Sequence, residues 1–400
     1  MHTVIIGAGQ AGAALAARMR ALGNTGAITL IGAEQSPPYQ RPPLSKAYLM
    51  GEMPAERLWL RSPDFWADHD IALHLGAAVT AIDTGAQTVT LGGRVIPYTD
   101  LALTTGSTPR RLPATMGGDL AGVYTVRSLA DVDAMRPAFQ AGARLVIVGG
   151  GYIGLEAAAV GAKLGLQVTV LEMAPRILQR VASPATSDYI RALHKAHGVT
   201  ILESIGLDRL TGDARVTGAH LSDGREIAAD FVIVGVGVTP NTDLAAAAGL
   251  MLDNGISTDS HGSTSAPHVW AAGDCASFPH AGGRIRLESV GNAIDQAELV
   301  AGNILGAGLA YTAAPWFWSD QYDTKLQIAG LNTGYDRTVT RHAGDGAVSF
   351  WYYAGDRLLA LDAMNDARAY MVGKRLIEAG KSPDPAAIAD PDTNLKSLLR

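Results

Sequence analysis

Two glycine-rich turns hold the strongest chemical signal in the sequence. Residues 7–12 read GAGQAG after the apolar run 3–6, and residues 149–154 read GGGYIG after the apolar run 145–148. In a G-x-G-x-x-G turn, one glycine makes the tight bend, one lets the backbone approach a pyrophosphate, and one lets helix and strand meet. The helix that follows offers free N–H groups to the phosphates. One such turn is weak evidence because glycine is common here, but two copies predict two dinucleotides and a relay of electrons between them.

The residues after the first turn support this interpretation. Glu34 lies just past the predicted strand 27–31, where a carboxylate can accept hydrogen bonds from a ribose hydroxyl. The proline-rich segment 36–46 cannot form a helix or a central strand, so we expect a rigid loop that holds Arg41 and Lys46 in fixed positions. The alternative for this loop is an ordinary surface connection.

Length, charge and cysteine content exclude several classes of protein. A chain of 400 residues exceeds the usual size of one hydrophobic core, so two or three domains are expected. A net charge of -6 argues against general nucleic-acid binding. We find neither a secretory signal nor an apolar stretch of the roughly 18 residues that cross a membrane. The single cysteine, Cys275, builds no disulfide framework or thiolate zinc site, so we expect a cytoplasmic protein without a metal.

The order of the predicted elements indicates an α/β protein with a different C-terminal region. Helices are expected at 11–22 and 153–164, each after a glycine turn, and a later helix at about 292–304. Residues 77–104 alternate between apolar and polar positions and predict short antiparallel strands, the last at 101–104. From residue 315 aromatic residues become frequent and the pattern alternates like a sheet, which predicts a further α+β domain.

Several separated motifs together resemble a known family. The first glycine turn, a Thr-Thr-Gly turn at 104–106, the second glycine turn and a Gly-Asp pair at 273–274 occur in the order seen in two-dinucleotide flavoprotein reductases. Within them, the chain resembles the ferredoxin reductases of bacterial cytochrome P450 and ring-hydroxylating dioxygenase systems over nearly its whole length. The segments that carry this closer resemblance are RPPLSK (41–46), GGGYIGLE (149–156), GDCA (273–276), ESV (288–290) and, most specifically, PWFWSDQY (315–322).

The resemblance implies a fold and a division into domains. It implies an α/β protein with two Rossmann-like dinucleotide-binding domains of the glutathione reductase type and a C-terminal α+β domain. Residues 1–108 and 238–314 would bind FAD, residues 109–237 would bind the nicotinamide nucleotide, and residues 315–400 would form the C-terminal domain.

It also implies roles for individual residues. The FAD pyrophosphate and ribose would be held by Gly7, Gly9, Ala11, Gly12 and Glu34. Val79 and Arg127 would lie at the adenine half, Asp274 at the ribityl–phosphate region and Val290 at the pyrimidine edge of the flavin. The further cofactor-binding positions are Arg41, Lys46, Thr105, Gly106, Gly149, Gly151, Tyr152, Ile153, Gly154, Glu172, Gly237, Gly273, Glu288, Ser289 and Trp318.

Three residues are expected to carry the chemistry: Lys46, Glu156 and Trp318. The resemblance places Lys46 at the reactive edge of the flavin and pairs it with Glu156, and it brings Trp318 to the flavin from the third domain. A lysine there would stabilise negative charge on the reduced flavin, and the carboxylate would keep the lysine protonated. The alternatives are an ordinary polar residue for Glu156 and hydrophobic packing between domains for Trp316 and Trp318.

The second nucleotide is expected to be NAD rather than NADP. Glu172 ends the strand after the second glycine turn, where a carboxylate binds the ribose 2′-hydroxyl and repels a 2′-phosphate. Residues 173–175 supply no cation, although Arg176 and Arg180 follow closely enough to reach a phosphate.

These expectations combine into one reaction. NADH would pass a hydride to FAD, and the reduced flavin would pass single electrons to a [2Fe–2S] ferredoxin that serves a cytochrome P450 or a similar oxygenase. Residues 36–60 contain no cysteine, which argues against a disulfide reductase. The alternatives are an NADH oxidase or rubredoxin reductase on the same scaffold, and an NADH-switched flavoprotein of the apoptosis-inducing-factor type.

The expected partner is an acidic ferredoxin, bound by a monomer or weak dimer of this chain, with no membrane contact. An acidic partner predicts a basic patch near Trp318. Candidates from their positions in the sequence are Lys325, Arg284, Arg286 and Lys374.

Overall fold

In the computed structural model, which describes residues 1–400, the chain begins with a strand, a glycine turn and a helix, and later repeats this unit. The strands are β1 (His2–Ile6), β2 (Ala27–Ile31), β3 (Ile71–His74), β4 (Val79–Asp83), β5 (Thr88–Leu91), β6 (Arg94–Pro97), β7 (Asp100–Leu103), β8 (Ser107–Pro109), β9 (Val123–Tyr124), β10 (Arg144–Val148), β11 (Gln167–Glu172), β12 (Thr200–Glu203), β13 (Leu207–Thr211), β14 (Gly218–Leu221), β15 (Glu226–Ala228), β16 (Phe231–Val234), β17 (Val238–Pro240), β18 (Ile256–Ser257), β19 (Val269–Ala271), β20 (Ala276–His280), β21 (Gly283–Ile285), β22 (Trp316–Gln321), β23 (Thr324–Gly330), β24 (Arg337–Gly344), β25 (Ala347–Ala354) and β26 (Arg357–Met364).

The helices follow the same order. They are α1 (Gln10–Ala21), α2 (Asp64–Asp68), α3 (Leu129–Met135), α4 (Tyr152–Lys163), α5 (Pro184–Ala196), α6 (Asp243–Ala247), α7 (Val290–Ile304), α8 (Ala367–Glu378) and α9 (Pro385–Ala389), with 3₁₀ turns at Pro42–Ser45, Ala55–Leu58, Ala114–Met116, Arg136–Ala138 and Leu395–Leu399. None of the helices is long and apolar enough to cross a membrane.

The elements assemble into two compact units. The first contains Met1–Arg41, Pro54–Thr108 and Val238–Pro315. The second contains Pro42–Met53, Pro109–Gly237 and Trp316–Arg400. The chain therefore passes from one unit to the other several times, and a short segment around Lys46 belongs to the second unit.

The first unit is built on a parallel sheet with the strand order β19-β7-β1-β2-β3. The helices α1 and α7 cover one face, where Leu15, Ala297 and Val300 join the core. The antiparallel sheet β4-β5-β6 contributes Val89 and Leu91 to the core on the other face. Apolar strands buried on both faces are typical of parallel sheets that lie between two layers.

One strand expectation was wrong. The sequence pattern suggested an antiparallel strand at 101–104, but β7 pairs parallel with both β1 and β19. Its residues Leu101, Ala102 and Leu103 have no solvent exposure because the strand lies inside the parallel sheet. The antiparallel pairing expected for the preceding strands is confirmed in β4, β5 and β6.

The second unit contains a second parallel sheet with the order β12-β11-β10-β16-β9 and an antiparallel sheet β13-β14-β15. It also contains the C-terminal antiparallel sheet β22-β23-β26-β25-β24. One face of that sheet packs against α8, α9 and the last 3₁₀ turn. On the other face, Leu326, Phe350 and Met364 pack against Tyr152 and the helix α5. The expected combination of Rossmann-like parallel sheets with a C-terminal α+β region is confirmed.

Helix starts differ slightly from the sequence-based expectation. Helix α7 begins at Val290, two residues before the expected Asn292. The reason is a cap, because the Ser289 side chain accepts a hydrogen bond from the backbone N–H of Asn292. Serine is one of the residues that favour this position.

The first glycine turn gives a direct test of the fold. Gly7 has a φ of +115°, and a Cβ atom on it would lie 2.2 Å from the carbonyl oxygen of Thr104, whereas a Cβ on Gly9 would meet no atom within 4 Å. We expect Gly7→Ala to lower the free energy of unfolding by about 2 kcal/mol, because it combines backbone strain with a clash. Gly9→Ala is the matched control and should unfold at nearly the wild-type denaturant concentration. Urea unfolding of cofactor-stripped protein measures both, and equal destabilisation would contradict this account.

Candidate functional site

The glycine turn of the first unit leaves a space above the start of α1. A Cβ atom on Gly12 would lie 1.9 Å from the carbonyl oxygen of Gly7, so helix and turn are in close contact there. Gly9, between them, faces open space and is the N-cap of α1, and no side chain caps that helix. Free N–H groups beside open space suit a pyrophosphate.

The second unit repeats this geometry at the second turn. Gly149 has a φ of +108°, and its Cβ would lie 2.4 Å from the carbonyl oxygen of Gly235, while that of Gly154 would lie 2.4 Å from Gly149. Gly151 faces open space and is the N-cap of α4, which also has no side-chain cap. Both turns therefore fit a dinucleotide pyrophosphate, because each leaves open space at a glycine where a larger side chain would block the ligand.

Glu34 and Arg41 lie together beside the first turn's sheet. The Glu34 carboxylate accepts hydrogen bonds from the Tyr39 hydroxyl at 2.5 Å and from the Arg41 guanidinium at 2.6 Å. Burial alone would lower the pKa of Arg41, but its interactions with Tyr39 and with the Glu34 carboxylate raise the pKa overall. The loop thus presents a fixed positive charge close to the carboxylate predicted to bind a ribose.

The Thr-Thr-Gly turn and the Gly-Asp pair belong to the same unit. Thr105 and Gly106 are held by Asn241, which donates to the Thr105 carbonyl at 2.8 Å and to the Gly106 carbonyl at 2.9 Å. The Asp274 carboxylate accepts a hydrogen bond from Ser107 at 2.9 Å, and Gly273 before it has a φ of +82°. These contacts fix the half-buried Asp274 in the turn that follows β19.

The start of α7 carries the last group of expected cofactor residues in this unit. Ser289 caps the helix and Val290 is its first residue. The exposed Glu288 pairs with Arg286 at 2.6 Å. Because Ser289 uses its side chain on the backbone, a ligand would meet the remaining N–H groups of the first turn of α7.

Two residues expected at the adenine lie in different units. Val79 is buried in the core of the first unit, among the side chains of β5 and β1. Arg127 is half-buried between β9 and α3 in the second unit. Val79 therefore has a packing role whatever else it contacts.

Glu172 is held against the second glycine turn. Its carboxylate accepts hydrogen bonds from the backbone N–H of Gly150 at 2.9 Å and of Ala174 at 2.8 Å. Arg176, which we considered as a phosphate ligand, instead donates to Ser187 and to the carbonyl of Ala182. The Arg176 guanidinium is therefore already hydrogen-bonded to groups of the loop and helix that follow it.

Other residues around the second turn have distinct surroundings. Ile153 is 45% exposed beside Gly151. Tyr152 instead packs against Phe317, with ring centroids 4.8 Å apart, so any contact it makes with a nucleotide would be through its backbone. Gly237 has a φ of +97° and lies near Arg180, which is 3.7 Å from the position of a Cβ atom there.

A buried ion pair lies at the start of the second unit. The Lys46 ammonium is 2.8 Å from the Glu156 carboxylate, and the two side chains are 16% and 4% exposed. Ser45 donates to Oε2 of Glu156 at 2.5 Å, and Ser319 donates to Oε1 at 2.7 Å. The expected pairing is thus present, and a carboxylate this buried is not an ordinary polar residue of a helix surface.

Two tryptophans form part of a surface cavity on the C-terminal sheet. Trp316 and Trp318 stack with centroids 5.5 Å apart and line the cavity together with Lys325, Gln327 and Tyr370. The Lys374 ammonium lies 5.3 Å from the Trp316 ring centroid, within cation–π distance. Aromatic rings and two lysines therefore share one surface.

The other two expected docking cations lie in the first unit and are engaged. Arg284 donates to the carbonyl groups of Thr258 and Ser277. Arg286 donates to the carbonyls of Asn254 and Asp274 and pairs with Glu288. Position in the sequence suggested free charges, but these side chains stabilise irregular backbone.

Cys275 is fully buried, and its single S–H lies within hydrogen-bonding distance of the carbonyls of Leu103 and Ala272, at 3.4 and 3.5 Å. Burial raises the pKa of this thiol, which keeps it protonated and unreactive. Sequence reasoning missed Ser45, Ser319, Gln321 and His194. For Ser319 and Gln321 the available signal was the run of three polar residues at 319–321 inside an otherwise aromatic segment.

Comparison with known proteins agrees with this geometry. Residues 1–297 match the pyridine nucleotide-disulphide oxidoreductase family, and residues 316–399 match the reductase C-terminal family. The chain is 45% identical to a ferredoxin–NAD(P)⁺ reductase from Sphingomonas sp., with 99% of this chain and 97% of that protein covered. It is 42% identical to rhodocoxin reductase from Rhodococcus erythropolis, with 100% and 94% covered.

Among solved structures, the covalent complex of putidaredoxin reductase with putidaredoxin contains a similar chain. The TM-score is 0.96 at 40% identity, and the match covers 100% of this chain and 98% of that one. The chain therefore belongs to the pyridine nucleotide-disulphide oxidoreductase family, on the branch that contains these ferredoxin reductases.

Proposed function

We propose that this protein is an NADH-dependent, FAD-containing ferredoxin reductase that supplies single electrons to a [2Fe–2S] ferredoxin of an oxygenase system. The observation that carries the proposal is the combination of two complete glycine turns with the buried Lys46–Glu156 pair. The names of the relatives, which include a ferredoxin–NAD(P)⁺ reductase and a reductase in complex with putidaredoxin, support the choice of acceptor. The single buried Cys275 supports a route that does not pass through a disulfide.

The proposal divides the work between regions of the chain. Residues 1–108 and 238–314 hold FAD, residues 109–237 hold NADH, and residues 315–400 form the C-terminal α+β domain. Bound FAD supplies the chemistry that links a two-electron donor to a one-electron acceptor. A cytoplasmic location belongs to the same proposal, because a free cysteine with no disulfide suits a reducing compartment.

The residues of this chain bind and orient rather than act as acid, base or nucleophile. The open space at Gly9 and Gly151 admits the two pyrophosphates, and the uncapped helices α1 and α4 provide N–H donors. Lys46 brings a positive charge that favours the reduced, negatively charged state of the cofactor. Glu156 holds that charge in place and keeps it from water.

A preference for NADH follows from Glu172. Its carboxylate is fixed against the second glycine turn by two backbone N–H groups, where a 2′-phosphate would meet negative charge. Arg176 cannot compensate because its guanidinium is bound to loop carbonyls and Ser187.

Docking of the ferredoxin is proposed at the surface formed by Trp316, Trp318, Lys325 and Lys374. The two lysines complement an acidic partner, and the stacked tryptophans provide the apolar area that interface centres favour. Lys325 is exposed and extends from β23 next to Trp318.

The first test is steady-state reduction of several purified [2Fe–2S] ferredoxins with NADH and NADPH in parallel. We expect rapid ferredoxin reduction, slow oxygen consumption, and a kcat/KM for NADH about tenfold above that for NADPH, the factor that roughly 1.4 kcal/mol of repulsion produces. Rapid oxygen turnover without a carrier would favour an NADH oxidase. Preferential reduction of rubredoxin would favour a rubredoxin reductase. NADH binding with no rapid acceptor would favour an NADH-switched flavoprotein.

The second test measures the ion pair by a double-mutant cycle of Lys46→Met and Glu156→Gln. Each single substitution should lower the free energy of unfolding by about 3 kcal/mol, because it leaves the partner buried without its counter-charge. The double variant should be more stable than the sum of the two losses predicts. Urea unfolding of the flavin-loaded proteins provides the values. The exposed pair Arg18–Glu298, whose charged groups are 4.0 Å apart, serves as the control and should show little coupling. Strictly additive effects at Lys46 and Glu156 would contradict the account.

The third test is Lys325→Glu. Losing one favourable charge and gaining an unfavourable one should raise the apparent KM for ferredoxin about fivefold, while ferricyanide reduction stays unchanged. Lys195→Glu makes the same charge change on α5, whose helix packs on the other face of the C-terminal sheet, and should leave both activities intact. Equal losses with ferredoxin and ferricyanide would reject a docking role for Lys325.

A further inference from the structure

Strand β22 presents two chemically different faces within the second unit. Trp316 and Trp318 lie on the face that lines the surface cavity, paired across the ladder with Ala329 and Gln327. The alternate residues Phe317, Ser319 and Gln321 contact α4 and α5 instead. Successive side chains of a strand point to opposite faces, so one short strand serves both sides.

The inner face continues the hydrogen bonds that reach Glu156. Ser319 donates its hydroxyl hydrogen to Oε1 of Glu156 at 2.7 Å. The same hydroxyl oxygen accepts a hydrogen bond from the side-chain amide of Gln321 at 3.1 Å. Ser319 and Gln321 are 0% and 1% exposed, so water does not replace these bonds.

His194, on α5, extends the chain by one more member. Its Nε2 lies 2.7 Å from the amide oxygen of Gln321, and its Nδ1 lies 3.1 Å from the Tyr322 hydroxyl. Since the amide nitrogen of Gln321 already donates to Ser319, its oxygen must accept, and Nε2 of His194 must carry the hydrogen. Burial lowers the pKa of His194 to about 4, so the ring is neutral at pH 7 and Nδ1 accepts from Tyr322.

Every hydrogen in this chain therefore points toward Glu156. The order of donation is Tyr322 to His194, His194 to Gln321, Gln321 to Ser319 and Ser319 to Glu156. Donors aligned in one direction polarise each other, which strengthens the final bond to the carboxylate. At the outer end, Tyr322 stacks on the exposed ring of His197 with centroids 3.6 Å apart, so the chain runs from the surface to the ion pair.

We infer that Ser319, Gln321 and His194 are positioning residues that set how tightly Glu156 holds the Lys46 ammonium. This inference rests on the proposed function, in which Lys46 acts on the flavin. Each hydrogen bond donated to the carboxylate draws negative charge away from the oxygen that faces Lys46. Without the bond from Ser319, Glu156 neutralises Lys46 more completely, and the reduced flavin loses part of its electrostatic stabilisation.

The test compares Ser319→Ala with Ser319→Thr by measuring the midpoint potential of the bound flavin. Removing the hydroxyl should make the midpoint potential of the flavin more negative. At a fixed solution potential, the ratio of reduced to oxidised flavin should fall about tenfold, as expected for the loss of one hydrogen bond to a charged group. Threonine retains the hydroxyl and should keep the wild-type potential.

Gln321→Met should shift the potential in the same direction as Ser319→Ala by a smaller amount, because it removes the side-chain amide that donates to Ser319. Asp320→Asn, on the other face of the strand, is the control and should change nothing.

The outcomes separate the inference from the proposed function. A wild-type potential in Ser319→Ala, or equal shifts in the alanine and threonine variants, would overturn the inference. Because the measurement uses no ferredoxin, a lack of ferredoxin reduction counts against the proposed function alone.

Nitrogen NMR of histidine-labelled protein adds a reading independent of the flavin. We expect His194 to carry its hydrogen on Nε2 at pH 7. A hydrogen on Nδ1 alone would overturn the stated direction of the hydrogen-bond chain.

Discussion

The burial of the Lys46–Glu156 pair is the constraint on which the second unit depends. Two charges removed from water are tolerated only when they meet each other and when the remaining lone pairs are satisfied. The partners come from three distant parts of the sequence, namely the segment with Ser45 and Lys46, the helix α4 and the strand β22. These contacts join residues 42–53 and the C-terminal sheet to the helix α4 within one unit, together with the apolar packing of Tyr152 on that sheet.

The glycine turns could be predicted from the sequence because their geometry is local. A positive φ at the first glycine and close approach at the third follow from spacing alone, and the structure shows the same pattern at Gly7 and Gly149. The Lys46–Glu156 pair was predicted through a family resemblance rather than through local physics. Its hydrogen-bonding partners were not predicted, because Ser45 and Ser319 lie 111 and 163 residues from Glu156 in the sequence.

The remaining errors have a common cause in tertiary packing. Periodicity shows that β7 is a strand, but it does not show that its neighbours are the parallel strands β1 and β19. Likewise, charge alone does not distinguish a free arginine from one whose guanidinium binds backbone. Arg176 and Arg284 both donate to loop carbonyls, a role that depends on where irregular segments need donors.

The two faces of β22 explain why the segment 315–322 combines aromatic residues with buried polar residues. Its outer positions hold tryptophans beside the exposed Lys325 and the half-buried Lys374, and its inner positions hold polar groups that complete a buried network. Since neighbouring residues act on opposite faces, Trp318 and Ser319 are adjacent in the chain but meet separate demands. The surface proposed for docking and the charge environment of Lys46 are therefore open to independent change by single substitutions. A reductase built this way can adapt its surface to a new ferredoxin without altering the buried ion pair.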